Sequence, residues 1–247
     1  MSIPVVLVTG ALTGIGRATA IAFAEEGARI VISGRHDAEG QALVEELRKI
    51  GQEAEFVRAD VGREEEVRNL IDKVVARFGR LDVAVNNAGT EGKRGPVTEQ
   101  TPESYAAAFD TNVLGTLLCM KHELRVMQPQ GSGSIINLSS TLGERGAPGA
   151  SLYAASKHAV EGLTQVAALE AAAFGVRVNA VAPGPVDTEL LSRFSGTADR
   201  KAAIAGVPLK RIAKPAEIAN AIVWLGSDKA SFVTGQILGV DGGKTAL

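Results

Sequence analysis

Short apolar runs rich in β-branched residues recur along this chain, and the stretches between them carry apolar residues at helical spacing. The runs read "VVLVTG", "RIVISG", "EAEFVRA", "LDVAVNNAG", "GSIINLSS", "GVRVNAVAPG" and "GQILGVDGG". Continuous apolar character, rather than strict alternation, marks strands buried on both faces, as in a parallel sheet covered by helices. The intervening segments 15–26, 38–50, 64–78, 105–127, 153–174 and 215–226 repeat apolar residues every three or four positions. Gly27, Gly51, Gly79 and Gly175 each follow such a segment, where a helix C-cap favours glycine. The expected fold is α/β, a doubly wound parallel sheet of about seven strands with helices on both faces. At 247 residues and 45% hydrophobic content the chain can bury one such core. No linker or repeat divides it, so 1–247 reads as one domain. The irregular stretch 187–214 follows a strand and reads as a lid.

The first strand runs into "TGALTGIG", placing Gly10, Gly14 and Gly16 between a strand and a helix. Glycines there permit a tight turn and let backbone N–H groups approach a pyrophosphate at the helix N-terminus. At the end of the second strand, an acid binding a ribose 2′-hydroxyl would mark NAD. The sequence instead reads Ser33-Gly34-Arg35-His36. Gly34 leaves room and Arg35 offers a fork of donors suited to a 2′-phosphate, so NADP(H) is the expected cofactor, with NAD(H) the alternative.

In "SLYAASKHAVEGL", Tyr153 and Lys157 stand four residues apart and share a helix face. A phenol with a pKa of about 10 is a poor acid or base near neutrality, and a nearby ammonium favours its phenolate. Lys157 is therefore expected to lower the pKa of Tyr153 and poise it for proton transfer. Ser139-Ser140 closes a strand whose end faces the crevice of an open parallel sheet, where a hydroxyl can polarise a carbonyl. Asn112 falls inside a helical segment, a poor place for an amide unless it bonds to something nearby, kinks the helix or holds a water.

Together these motifs resemble the short-chain dehydrogenase/reductase family of the single-domain type, from Val5 to Gly243. The likeness also includes "ADV" at 59–61, "NNAG" at 86–89, "YAASK" and "PGPVDT" at 183–188. The resemblance implies a Rossmann-like fold and hydride transfer between a dinucleotide and a ketone or secondary alcohol. It assigns carbonyl polarisation to Ser140, proton transfer to Tyr153, nicotinamide ribose binding and pKa lowering to Lys157, and a relay water to Asn112. Ser140 is chosen over Ser139 because it precedes Tyr153 by thirteen residues. The implied cofactor contacts are Gly10, Thr13, Gly14, Ile15 and Gly16 at the turn, and Arg35 beyond the second strand. Asp60 and Val61 fall at the adenine, and Asn86, Ala88 and Gly89 along the adenosine and ribose side. Lys157, Pro183, Gly184, Val186 and Thr188 serve the nicotinamide half. A homotetramer is implied, with a homodimer as the alternative.

A net charge of −2 and a pI near 6.0 give no basic field, so nucleic acid is not an expected partner. The opening apolar run is too brief to span a membrane and lacks a basic leader, which points to a reducing, cytoplasmic location. Cys119, the single cysteine, reads as buried packing, and His36, His122 and His158 form no metal set. Ser140 has no evident His/Asp pair, so a hydrolase lacks its base. The substrate wall is expected from 91–95, 142–145 and 187–194. Glu91, Glu144 and Arg145 are polar candidates there, and Leu190, Leu191 and Phe194 apolar ones. A small-molecule carbonyl reductase or alcohol dehydrogenase is the first reading. A 3-oxoacyl-carrier-protein reductase, docking an acidic carrier through Arg125 and Arg177, is the second. A non-catalytic NADP(H)-responsive binding protein is the third.

Overall fold

A computed structural model describes residues 3–51, 53–195 and 200–246, without the side chains of 194, 195 and 200–202. In chain order β1 (Val5–Thr9), α1 (Gly14–Glu25), β2 (Arg29–Gly34), α2 (Asp37–Lys49), β3 (Ala54–Arg58) and α3 (Glu64–Phe78) form the first half. There follow β4 (Val83–Asn86), α4 (Pro102–Phe109), α5 (Gly115–Gln130), β5 (Gly133–Leu138), α6 (Ser151–Ala171) and β6 (Val176–Pro183). The last are α7 (Glu189–Ser195), α8 (Arg200–Ala205), α9 (Pro215–Gly226) and β7 (Ile237–Val240).

All pairings between strands are parallel, and the order across the sheet is β3-β2-β1-β4-β5-β6-β7. Adjacent strand residues point to opposite faces. Val6 and Val8 therefore pack with α1, α2 and α9 through Phe23, Leu47 and Ile222, while Val5 and Leu7 meet α3, α5 and α6 through Leu70, Met127 and Ala171. That two-sided burial explains why the strands read as unbroken apolar runs. The chain reverses direction across the sheet between β1 and β4, and ligands bind beyond the strand C-termini at such a point.

Two local expectations need correction. The helix expected over 105–127 is α4 and α5 joined by a π-helical turn, Asp110–Leu114, which contains Asn112. The stretch 187–214 is not irregular, since α7 and α8 lie within it; residues 196–199 and the Phe194 side chain fall outside the described set. Among the described residues no helix is long and apolar enough to cross a membrane.

Candidate active site

A cleft of about 900 Å³ opens over the C-terminal ends of the strands. Its lining follows the strand order: Asp60 and Val61 after β3, Arg35 after β2, and the glycine turn after β1. Ala88 and Gly89 follow after β4, Ser140 after β5, Pro183 to Val186 after β6, and Lys244 beyond β7. The sheet thus separates Arg35 and Lys244 to opposite ends.

At the turn after β1, Gly10 has φ +60°, and a Cβ there would stand 2.7 Å from the Ala88 Cα. A Cβ on Gly16 would lie 2.4 Å from both the Gly10 carbonyl oxygen and Asn87 Nδ2. Gly16 therefore serves close packing and does not line the cleft, whereas Gly10, Thr13, Gly14 and Ile15 do. Thr13 occupies the N-cap of α1 without a side-chain capping bond, so the opening N–H groups remain available to a ligand. Asn87 braces this cradle by donating to the carbonyls of Thr9 (3.0 Å) and Gly10 (2.8 Å). Asn87, and not the expected Asn86, lines the cleft. The Asn86 side chain instead turns into the interior, donating to Glu123 and to Asn137, each at 3.0 Å, and does not line the cleft.

Gly34 has a packing reason that the sequence did not reveal: a Cβ there would lie 2.6 Å from Leu12 Cδ1. Arg35 is exposed at the cleft, and its guanidinium has no hydrogen-bond or ion-pair partner among the described residues. Asp60 accepts from Gly62 N (3.0 Å) while its own N–H donates to Glu66 (2.8 Å), which fixes the turn after β3. Across the cleft, the Thr188 methyl would meet a Cβ on Gly14 at 3.2 Å.

Ser140, Tyr153 and Lys157 come together at the β5 end of the cleft. Ser140 accepts from Leu142 N (3.2 Å) and is hydrogen-bonded to the Tyr153 hydroxyl. Ser139, by contrast, turns away and donates to Glu161 at 2.5 Å. Lys157 Nζ lies 5.7 Å from the Tyr153 ring centroid and donates to the Leu138 carbonyl at 2.7 Å. Asn112 is buried beneath them. Its amide donates to the Thr90 carbonyl (2.9 Å) and Ser156 Oγ (3.0 Å), and its oxygen accepts from Thr90 N (2.8 Å). It ties the loop after β4 to the helix carrying Tyr153 and Lys157, and its side chain does not line the cleft.

The electrostatics correct one expectation. Burial pushes the Tyr153 phenol up to about 12, with the Ser140 hydrogen bond pulling it partly back and the negative charge of Glu91 adding to the rise. Lys157 is not among the groups that shift it; its ammonium donates to a backbone carbonyl and is itself driven down to about 8 by burial. Glu161, one turn on from Lys157, opposes that fall. The arrangement can hold a carbonyl oxygen between two hydroxyls and hand it a proton.

Several wall residues also differ from expectation. Glu91 is mostly covered and pairs with Arg193 of α7 at 2.7 Å. Arg145 turns to the C-terminal turn, donating to the carbonyls of Lys244 (3.0 Å) and Thr245. Of the two arginines offered for carrier docking, Arg125 pairs with Asp72, and Arg177 is spent on the carbonyls of Leu225 (2.8 Å) and Ser227 (3.2 Å). Cys119 is buried and its thiol is pushed well up by that burial.

A family profile described as enoyl-(acyl carrier protein) reductase matches residues 10–245. The chain superposes on a short-chain type dehydrogenase/reductase from Mycobacterium marinum with a TM-score of 0.94, at 34% identity, over 99% of this chain and 96% of that one. This chain belongs to the short-chain dehydrogenase/reductase family. It is an oxidoreductase of hydroxyl and carbonyl groups. It is also 46% identical over 245 residues to cis-4-hydroxycyclohexanecarboxylate dehydrogenase of Sinomonas cyclohexanicum, covering 98% of this chain and 97% of the relative. The structure of ElxO with NADP bound matches at a TM-score of 0.93 and 36% identity, covering 100% of each chain.

Proposed function

We propose that this dehydrogenase/reductase transfers hydride between NADP(H) and a small-molecule ketone or secondary alcohol, with Tyr153 as the proton-transferring group. The observation that carries the reading is the Ser140–Tyr153 hydrogen bond, with Lys157 beside it, facing the cleft next to a dinucleotide cradle. A dinucleotide fits that cradle. The turn at Gly10 has no room for a Cβ, the first N–H groups of α1 are not capped by Thr13, and the cleft reaches to the unpaired Arg35. Gly10, Thr13, Gly14 and Ile15 would hold the pyrophosphate, with Gly16 keeping the turn tight. Asp60 and Val61 would hold the adenine, Ala88 and Gly89 the adenosine ribose, and Lys157 with 183–188 the nicotinamide half. Arg35 would take the 2′-phosphate.

When bound, the dinucleotide supplies or accepts the hydride. In the reducing direction Ser140 orients the carbonyl oxygen and Tyr153 gives its proton to the developing alkoxide. In the oxidising direction the Tyr153 phenolate takes the hydroxyl proton. Asn112 positions Tyr153 and Lys157 through Thr90 and Ser156. We assign 1–247 to one catalytic domain, with 187–214 as the substrate lid. We also assign a cytoplasmic location and a homotetramer, with a homodimer as the alternative; the exposed Leu114, Leu117, Val166 and Leu169 on the π-helical turn, α5 and α6 support association between copies. Arg125 and Arg177 are both engaged within the chain, so the acyl-carrier reading no longer has two free arginines to draw on. The test is a panel of ketones and alcohols assayed with NADPH and NADH. NADPH is preferred, and Arg35→Ala lowers kcat/KM for NADPH about tenfold to a hundredfold with little change for NADH. A wild-type preference for NADH removes the role given to Arg35.

A further inference from the structure

The C-terminal turn adds a cation to the substrate end of the cleft that neither the sequence motifs nor the proton-transfer chemistry uses. Gly242 and Gly243 take φ of +67° and +89°, and Asp241 closes the turn by accepting from Gly243 N (2.9 Å) and Thr245 N (2.7 Å). Arg145, on the loop that begins at Ser140, then clamps the carbonyls of Lys244 and Thr245. These bonds fix the Lys244 backbone from two sides, and Lys244 lines the cleft. Among the described residues the Lys244 ammonium makes no ion pair or hydrogen bond.

The neighbouring charges sharpen the point. Arg193 lines the same region, with its charge spent on Glu91 (2.7 Å) and, more distantly, on Glu189 (3.9 Å). Arg94 lines it too and donates to the Pro148 carbonyl at 3.4 Å. Leu142, Ala147, Leu190 and Leu191 give the same cleft an apolar lining. A partly covered, braced ammonium with no internal counter-charge is matched by an anion delivered by the ligand. The cofactor's phosphates are met at the opposite side of the sheet order, around Gly10–Gly16 and Arg35.

We propose that the substrate is a keto acid or hydroxy acid with an apolar body, and that Lys244 binds its carboxylate. Arg145 acts as a positioning residue through the turn. The proposal rests on the carbonyl-reductase reading above, and the experiment separates the two. Open-chain, cyclopentane and cyclohexane ketones, each as the carboxylate and its methyl ester, are assayed with NADPH beside unsubstituted ketones, using wild type, Lys244→Met and Lys244→Arg. NADPH binding is titrated by fluorescence in parallel. The expected result is a preference of at least about tenfold for carboxylates over esters, expressed in KM. Lys244→Met abolishes it, Lys244→Arg largely retains it, and kcat for neutral ketones and affinity for NADPH stay unchanged. Arg145→Met raises KM for the acids while leaving kcat for neutral ketones intact. Equal use of acids and esters, use of neutral ketones only, or a Lys244→Met loss confined to NADPH binding overturns the proposal. No turnover of any ketone would instead refute the reductase reading beneath it.

Discussion

Glu123 is fully buried in α5, and burial pushes its carboxyl up to about 8 although Asn86 donates to it at 3.0 Å. Its other oxygen and the Asn86 side-chain Oδ1 both lack a hydrogen-bond partner among the described residues. A carboxyl whose pKa is higher in the folded than in the unfolded chain supports the fold while protonated. That support is complete below the ordinary value of 4.5 and is lost as pH rises toward about 8. Each unit of difference is worth ~1.4 kcal/mol, so the penalty accumulates to roughly 4–5 kcal/mol by pH 8. Glu123→Gln keeps the shape, removes the ionisation and supplies an N–H for the Asn86 oxygen. Thermal unfolding of both proteins at equal concentration, at pH 4.5 and pH 8, measures the effect. The variant is expected to match wild type within about 0.5 kcal/mol at pH 4.5 and to exceed it by roughly 2–4 kcal/mol at pH 8. A chain of this size gains roughly 2–4 °C in Tm per kcal/mol. Equal stability at pH 8, or the same difference at both pH values, refutes the reasoning.

Gly16→Ala forces a methyl against the Gly10 carbonyl and Asn87, so it should cost about 1–3 kcal/mol and weaken NADPH binding, read by thermal unfolding and fluorescence titration. Alcohol oxidation should accelerate with rising pH, because Tyr153 must be ionised to accept the proton; a flat pH–rate profile counts against that role. Glu91→Gln removes a negative charge that holds the phenol up, so the oxidation profile should move to lower pH, and a shift in the opposite direction contradicts the assigned cause.

The sheet was legible because its strands are buried on both faces and its helices on one, and those burials impose different periodicities on the same residues. The glycine turn, Ser140, Tyr153 and Lys157 were legible because local spacing fixes where they fall. What was hidden depends on partners distant in sequence. Asn86 and Asn87 are adjacent and chemically identical, and the partners met on α5 and β5 decide which one faces inward. Arg145 reads as a wall residue until the last residues of the chain come to lie against it, roughly a hundred positions later. The rise of the Tyr153 pKa comes from burial, which the four-residue spacing to Lys157 does not report. Helices α7 and α8 are short, and their brief runs carry too little periodicity to stand out from a loop.

Tyr153 is assigned the proton transfer and the surrounding cleft the dinucleotide. Tyr153→Phe removes one oxygen, and the direct measurement is its kcat for NADPH-dependent ketone reduction beside its NADPH affinity by fluorescence titration. The expected result is at least about a hundredfold loss of kcat with NADPH affinity within a few-fold of wild type. Turnover retained at the wild-type rate on a confirmed substrate would contradict it.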